Sequence, residues 1–288
     1  MNTLDLFSGI GGFSLGLERA GMRTVAFCEI DPHARKVLNK HWPDVPVFTD
    51  VSTLTKDDLN EQIDVIVGGF PCQDISTAGR GAGLSGSRSG LWFQFHRLIK
   101  EIQPRYAIIE NVSALRGRGL DQVLWSLSEI GYDAEWHCIP AAAVGAPHRR
   151  DRIWIVAYSS HTRVSQRGQY VDVSEKSTVL RGVCGDVLSR WEQGEVLADA
   201  DEQGLQGSEW SGSPSTQRKS GGHVAERGGA IPISIGGVWP TEPNVGRVAH
   251  GVPNRAHRLK QLGNAVVPQI PELIGRAIME YERAKTLA

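Results

Sequence analysis

A cysteine follows an apolar run in the segment Gly68-Gly69-Phe70-Pro71-Cys72-Gln73. The run itself, Ile63–Val67, is typical of a buried strand, and glycine-rich residues come after the cysteine. A thiol placed where a rigid strand enters a mobile loop can be held in position and still meet a substrate, as a nucleophile must. The alternative interpretation of Cys72 is a small buried side chain with no chemical role.

A glycine turn follows the first apolar run, in Phe7-Ser8-Gly9-Ile10-Gly11-Gly12. Such a turn lets the backbone approach a ligand closely, with the N–H groups of the next helix facing it. Glu29 stands 20 residues after Gly9, where a carboxylate can bind both hydroxyls of a ribose. These residues predict an adenosine-type cofactor and leave open a dinucleotide or S-adenosylmethionine. Asp50 could reach an adenine amino group or serve as a turn residue.

Two further groups of polar residues accompany predicted strands. Glu110 ends the apolar run Tyr106–Ile109, and beside a thiol it could give a proton to a ring nitrogen if burial raises its pKa. A helix cap or a solvated carboxylate is the alternative. Arg150 and Arg152 enter the next strand, where alternate residues point the same way. Both arginines are therefore expected on one side, or else as solvated charges.

Strand-like and helix-like segments alternate along the first half of the chain. This alternation predicts an α/β fold with a doubly wound, mostly parallel sheet, which binds ligands at the carboxyl ends of its strands. The predicted strands are Thr3–Phe7, Thr24–Glu29, Ile63–Val67, Tyr106–Ile109 and Arg152–Ala157, and the predicted helices are Phe13–Ala20, Pro32–His41, Leu91–Ile102 and Leu120–Ile130.

Composition changes after Tyr158, which predicts three parts. Residues 1–158 form the catalytic and cofactor-binding domain, and residues 159–245, rich in Gly, Ser, Gln and Arg, form a small irregular domain. Residues 246–288 complete the first domain, because the run Pro268–Ala284 has the spacing of an amphipathic helix that returns to it.

The composition is that of a soluble globular protein, with 40% hydrophobic and 22% charged residues. A membrane span and a signal peptide are not expected, so the sequence predicts a cytoplasmic protein. Its four cysteines contain no CxxC pair, so neither a metal site nor a disulfide framework is predicted. The net charge is −1, but seven Lys or Arg against two Glu lie between Trp210 and Lys260. That excess fits either a phosphate-binding patch or a solvated loop.

Five motifs, in this order and at these spacings, resemble the C5-cytosine-specific DNA methyltransferase family of bacterial and phage restriction-modification systems. The resemblance covers Thr3–Tyr158 and Arg247–Ala284, and the family places its variable target-recognition domain between them, here 159–245. The motifs are Asp5-Leu6-Phe7-Ser8-Gly9 with Gly11-Gly12, Gly69-Phe70-Pro71-Cys72-Gln73, Glu110-Asn111-Val112, Arg150 with Arg152, and Gly263-Asn264-Ala265-Val266-Val267-Pro268.

The resemblance implies a role for each catalytic candidate. Cys72 would attack C6 of a cytosine turned out of duplex DNA, and Glu110 would contact N3 and the exocyclic amino group. Arg152 and Arg150 would help to hold the base. The glycine-rich segment Gln73–Gly90 would close over it, which repays the cost of extruding the base.

The resemblance also implies S-adenosylmethionine as the cofactor. Glu29 would bind its ribose and Asp50 its adenine. Ile30 stands where the family often has Trp, which suggests weaker stacking on the adenine, and His148 replaces the usual Gln. The full set of expected cofactor residues is Phe7, Gly9, Gly11, Glu29, Ile30, Asp50, Pro71, Leu91, Asn264 and Val266.

Three rival functions follow from the same residues. One branch of the family methylates tRNA, although the long middle segment favours DNA. A nucleotide-dependent dehydrogenase would explain the glycine turn and Glu29 but none of the other motifs. A non-catalytic DNA-binding protein would not need Cys72, Glu110 and Arg152. The leading interpretation is a monomeric enzyme acting on double-stranded DNA, with a cognate restriction endonuclease that shares its recognition site.

Overall fold

The computed structural model describes residues 1–71, 90–159 and 255–287. Within these ranges the chain forms a seven-stranded sheet with α-helices and short 3-10 turns. The strands are β1 (Asn2–Leu6), β2 (Arg23–Cys28), β3 (Val47–Phe48), β4 (Val65–Gly68), β5 (Tyr106–Val112), β6 (Tyr132–Pro140) and β7 (Asp151–Ser159). The helices are α1 (Gly12–Arg19), α2 (Pro32–His41), α3 (Gly90–Ile102), α4 (Leu120–Glu129), α5 (Arg255–Asn264) and α6 (Gln269–Leu287).

The strands lie in the order β3, β2, β1, β4, β5, β7, β6. The strand β7 pairs antiparallel with both β5 and β6, and the other four pairings are parallel, so the predicted doubly wound, mostly parallel fold is confirmed. From β1 the chain moves outward to β2 and β3 and then returns to β4 on the other side of β1. The strand order therefore reverses between β1 and β4, where sheets of this kind form a crevice at the carboxyl ends of their strands.

The strand β6 was not expected from the sequence. Its residues alternate poorly between polar and apolar, and most of them are only half-buried because β6 forms the edge of the sheet. An edge strand with one neighbour needs no continuous apolar run, so the pattern that marks buried strands is missing here.

Helices cover both faces of the sheet. The alternation of side chains along β5 shows the two sides: Ile109 packs with the cluster that contains Trp92 and Leu98 of α3, and Ile108 packs with the cluster that contains Leu17 of α1 and Ile274 of α6. No helix of the described ranges is long and apolar enough to cross a membrane.

The C-terminal helix α6 returns to the first part of the chain, as the sequence predicted, and it packs on α1. A Cβ atom at Gly16 would overlap the backbone oxygen of Pro268, and one at Gly275 would lie 2.8 Å from the Cβ of Ala20. The two helices therefore approach closely because glycine faces both sides of the contact. The hydroxyl of Tyr106 also donates to Glu282 Oε1 at 2.6 Å.

Candidate active site

A cavity of about 510 Å³ lies at the carboxyl ends of β1, β2, β4 and β5. Its volume falls in the range of small-molecule sites, roughly 300 to 1,000 Å³. Most of the residues predicted as catalytic or cofactor-binding line it together: Phe7, Gly9, Glu29, Ile30, Asp50, Pro71, Leu91, Glu110, Arg150, Arg152 and Asn264.

Three predicted residues stand apart from this lining. Cys72 lies outside the described residues, as does the following segment up to Ser89. Gly11 and Val266 are not among the residues that line the cavity. A Cβ atom at Gly11 would lie 2.6 Å from the Trp42 ring, and one at Gly12 would lie 2.6 Å from the Val266 backbone oxygen. Gly11 and Val266 therefore shape the turn and its packing.

The turn after β1 has an unusual backbone. Phe7, Gly9 and Gly11 have φ angles of 53°, 54° and 84°, all in the left-handed region. Glycine adopts this conformation without cost, whereas Phe7 adopts it with strain that the surroundings must hold. Side chains held in such conformations cluster at binding sites, and Phe7 and Gly9 both face the cavity.

Glu29 holds this turn to the end of β2. Its Oε2 accepts a hydrogen bond from the Gly9 backbone N–H at 2.7 Å, and its Oε1 accepts one from Asp31 N–H at 2.7 Å. Each carboxylate oxygen can accept a further hydrogen bond. The side chain can therefore bind the two hydroxyls of a ribose while it keeps the turn in place.

The half of the cavity at the ends of β1, β2 and β3 is also lined by Ile30 and Asp50. Ile30 is 76% exposed, which is unusual for an apolar side chain that lines a cavity. Asp50 Oδ1 accepts hydrogen bonds from the hydroxyl and the N–H of Ser52, at 2.6 and 2.8 Å, and these bonds lower the pKa of Asp50. Asp50 is thus a turn residue and a cavity residue together. An apolar surface beside an acceptor carboxylate fits an adenine ring with its amino group.

The other half of the cavity lies at the ends of β4 and β5 and the start of β7. It contains Glu110 on β5 and Arg152 on β7. Arg152 is paired with Val112, so the side chain of Glu110 lies diagonally across the two strands on the same face. The Arg152 Nε is 2.9 Å from Glu110 Oε1. Burial raises the pKa of Glu110, while the charges of Arg152 and Arg150 act in the opposite direction. A buried carboxyl with a raised pKa can hold a proton at a pH where an ordinary glutamate cannot.

Two contacts that the sequence did not indicate join the end of β5 to the residues that follow β4. A Cβ atom at Gly69 would lie 2.7 Å from Glu110 Oε2, so glycine leaves the room that the carboxyl occupies. Asn111 Nδ2 donates to the backbone oxygen of Phe70 at 3.1 Å. The amide therefore fixes the chain two residues before Cys72. A buried amide in an apolar strand was the available signal, because such a group needs a partner.

Arg150 makes a different pair of contacts. Its guanidinium donates to the backbone oxygens of Gly263 and Ala265, both at 2.8 Å. Arg149, its neighbour in sequence, instead forms an ion pair with Asp151 at 2.8 Å on the surface. Arg150 and Arg152 both line the cavity, but Arg150 precedes β7 and has a left-handed φ, so strand alternation does not explain its direction. The two arginines hold different groups.

The described residues include no group of three or more His, Cys, Asp or Glu that could hold a metal ion. The chemical groups along the cavity are instead carboxylates, guanidinium groups, backbone N–H groups and apolar side chains. One half suits a nucleoside-type cofactor, and the other half places a buried carboxyl with a raised pKa beside two arginines.

Comparison with known proteins assigns this arrangement to a family. Over 170 residues the chain is 39% identical to the type II methyltransferase M2.BsuMI of Bacillus subtilis (strain 168), covering 54% of this chain and 42% of that protein. Over 160 residues it is 40% identical to the type II methyltransferase M.Eco47II of Escherichia coli, covering 54% of this chain and 38% of that protein. The aligned part is less than half of the length of either relative.

A solved structure, described as a DNA modification methyltransferase encoded within an E. coli prophage, has 30% sequence identity and a TM-score of 0.49. It covers 60% of this chain, and the match spans 51% of that chain. The family described as "C-5 cytosine-specific DNA methylase" matches residues 1–221, which is more than half of the sequence. The chain therefore belongs to the C-5 cytosine-specific DNA methylase family.

Proposed function

We propose that this protein is an S-adenosylmethionine-dependent DNA (cytosine-5-)-methyltransferase that acts on a cytosine turned out of duplex DNA. The observation that carries the proposal is the shared cavity, in which the Glu110 and Arg152 pair lies in the same space as Glu29, Asp50 and Asn264. A buried acid for the base and a site for a nucleoside are thus adjacent, as transfer between the two requires.

The chemistry begins with an unreactive ring. The thiolate of Cys72 adds to C6, and Glu110 gives its proton to N3, so the electron pair released from the C5–C6 double bond makes C5 nucleophilic. The cofactor supplies an electrophilic methyl group. When C5 has taken the methyl group, it loses its proton to a base, N3 returns its proton to the Glu110 carboxylate, the C5–C6 double bond re-forms, and Cys72 leaves C6 as a thiolate. The thiolate, the Glu110 acid and the aromatic ring are then restored, the cofactor is left without its methyl group, and the product carries one methyl group in place of hydrogen.

The described residues support this series of reaction steps by holding the reacting groups in place. Asn111 fixes the carbonyl of Phe70, two residues before Cys72. Arg152 fixes the Glu110 carboxyl from the opposite side. The two cysteines within the described ranges, Cys28 and Cys138, are unsuited to attack. Burial raises the pKa of Cys28 to about 12 and also raises that of Cys138.

A substitution at the nucleophile tests the proposal. Cys72→Ser should abolish transfer of tritiated methyl groups from S-adenosylmethionine to genomic DNA, whereas Cys138→Ser should keep it, because Cys138 lies on β6 away from the cavity. DNA that contains 5-fluorocytosine should trap the wild type covalently, since fluorine at C5 cannot leave as a proton. Full activity of Cys72→Ser, or transfer to bulk tRNA and not to DNA, would contradict the proposal.

The type II relatives also suggest the biological setting. We expect a monomer that protects its recognition sequence against a cognate restriction endonuclease. Bisulfite sequencing of DNA from cells that express this chain would identify the methylated sequence, and that sequence would name the endonuclease to be tested.

A further inference from the structure

Arg150 lies where the two halves of the cavity meet. Its Nη1 donates to the backbone oxygen of Gly263 and its Nη2 to that of Ala265, both at 2.8 Å. Asn264, the residue between these two carbonyls, lines the cavity. The guanidinium therefore holds the peptide groups on either side of a predicted cofactor residue that is 114 positions away in sequence.

The Gly263 carbonyl belongs to the last turn of α5, where backbone oxygens have no partners inside the helix and carry partial negative charge, and the Ala265 carbonyl follows directly after the helix. A planar guanidinium with two parallel donors matches a pair of such oxygens, and an ammonium group does not. Arg150 thus caps α5 and fixes the geometry at its end.

Few other contacts hold α5 in the described part of the chain. Leu259 and Leu262 are exposed, so apolar burial contributes little to its position. Lys260 Nζ lies 3.2 Å from Asp31 Oδ2, and the rings of His257 and His33 stack with 3.9 Å between their centres. These contacts are on the surface, where they are worth little, so among the described contacts of α5 the two hydrogen bonds from Arg150 are the ones that hold its C-terminal end.

The backbone at Arg150 is built to aim this side chain. Its φ of 39° lies in the left-handed region, which a non-glycine residue adopts only when its surroundings impose it. The preceding carbonyl, of Arg149, accepts a hydrogen bond from Ala141 N–H at 2.7 Å and so ties this peptide to the turn Ala141–Val144.

The same guanidinium also faces the base side of the cavity. Its charge is one of the influences that oppose the rise in the pKa of Glu110, after that of Arg152. Burial, and then the charge of Arg152, lower the pKa of Arg150 itself, while Glu110 acts in the opposite direction. Arg150 therefore acts on Glu110 through its charge and on α5 through its hydrogen bonds, and these two effects can be separated.

We propose that Arg150 is a positioning residue for Asn264, so that cofactor affinity depends on its pair of hydrogen bonds. This inference rests on the proposed S-adenosylmethionine dependence. It differs from the expectation that Arg150 helps to hold the base, because it places the geometric role of the residue on the cofactor side.

Arg150→Lys tests this separation, since lysine keeps the charge and loses the paired hydrogen bonds. We expect S-adenosylmethionine to bind Arg150→Lys about tenfold more weakly than wild type, or worse, by calorimetry without DNA. The control Arg149→Lys, at an exposed neighbour outside the cavity, should bind as wild type does. Matching thermal unfolding of the three proteins shows that the variants are folded.

A second measurement follows the base side without the cofactor. Addition of Cys72 at C6 lets C5 exchange its hydrogen with water, so genomic DNA labelled with tritium at cytosine C5 should release tritium. We expect Arg150→Lys to slow this release by a smaller factor than it weakens S-adenosylmethionine binding, because the hydrogen bonds it loses are made to Gly263 and Ala265 and not to Glu110. Slower release with unchanged cofactor affinity would overturn the inference and place Arg150 on the base side.

A double-variant cycle with Asn264→Ala tests the route of the effect. The double variant combines Arg150→Lys with Asn264→Ala. If Arg150 acts through Asn264, the affinity of this variant for S-adenosylmethionine should be within about twofold of that of the single variant that binds more weakly. Losses that multiply would overturn the inference. If wild type released tritium but did not bind S-adenosylmethionine, the cofactor assignment itself would fail, and the inference with it. Binding by wild type with no loss in Arg150→Lys would overturn the inference alone.

Discussion

Arg152 Nε and Glu110 Oε1 lie 2.9 Å apart, on neighbouring antiparallel strands of an otherwise parallel sheet. The antiparallel strand β7 makes this contact possible, because it brings its first residues to the same edge at which β5 ends. Burial favours the protonated form of Glu110 and the guanidinium favours the ionised form. The balance between them decides whether the acid can serve a ring nitrogen.

Replacing the acid while keeping its shape tests this role. In Glu110→Gln the amide can still form hydrogen bonds but cannot give a proton to N3, so we expect methyl transfer to fall about 10² to 10⁴-fold. Glu129→Gln, at an exposed position at the end of α4, should retain the wild-type rate. Single-turnover transfer to DNA measures both. A Glu110→Gln rate close to that of wild type would show that proton transfer to N3 does not limit the reaction.

Removing the cation changes the pH dependence. The Arg152 charge lowers the pKa of Glu110, so Arg152→Gln should raise that pKa further. If the protonated acid is the active form, activity falls as pH rises through this pKa, and the alkaline limb of the rate profile in Arg152→Gln moves to higher pH. Arg152→Lys keeps the charge and should keep the limb near its wild-type position. A limb that moves to lower pH in Arg152→Gln would contradict the assignment of Glu110 as the acid.

Gly69→Ala should impair catalysis with little effect on stability. The added Cβ would lie 2.7 Å from Glu110 Oε2, and the end of a flexible side chain can move away at small cost. The acid is then displaced, and we expect methyl transfer to fall about tenfold to a hundredfold. Urea unfolding should be nearly unchanged. At Gly117 an added Cβ meets nothing within 4 Å, so Gly117→Ala is the matched control. Equal effects of the two variants on rate would exclude this explanation.

The sequence predicted the central strands because they are buried on both faces and therefore read as apolar runs. It also predicted which side chains meet, since the carboxyl ends of parallel strands share one edge of the sheet. Glu29 and Gly9 illustrate this: a glycine turn after one strand and a carboxylate after the next were expected to lie together, and a 2.7 Å hydrogen bond joins them.

Contacts between segments that are distant in sequence could not be predicted from local sequence patterns. Nothing near Arg150 in the sequence indicates that its partners are the carbonyls of Gly263 and Ala265, because backbone oxygens carry no sequence signature. The space that Gly69 leaves for Glu110 is likewise a property of packing between two strands. The edge strand β6 has only partial burial and so lacks the apolar pattern that identified the others.

Gly16→Ala should destabilise the fold. An added Cβ would overlap the backbone oxygen of Pro268 and lie 2.8 Å from Pro271 Cγ, and neither atom can move without shifting the start of α6. Overpacking of this kind costs about 1 to 3 kcal/mol, although alanine is the better helix former. Gly90→Ala, whose Cβ would meet nothing within 4 Å, is the control. Urea unfolding measures the difference, and equal stability of Gly16→Ala and wild type would show that α1 and α6 are not in close contact.

Asp5 should make stability depend on pH near neutrality. Burial is the main cause that raises its pKa to about 7, and its Oδ1 has no hydrogen-bond partner in the structure as described. The folded protein therefore holds a proton that the unfolded chain releases near pH 4, so the free energy of unfolding falls as pH rises from about 4 to about 7.

Asp5→Asn stays neutral at every pH and should lose this dependence. Relative to wild type, its free energy of unfolding should rise by about 2 to 3 kcal/mol between pH 5 and pH 8. Urea unfolding at both pH values tests this, with the exposed Asp44→Asn as a control that keeps the wild-type dependence. A difference between Asp5→Asn and wild type that stays constant with pH would show that Asp5 is ionised in the folded protein throughout this range.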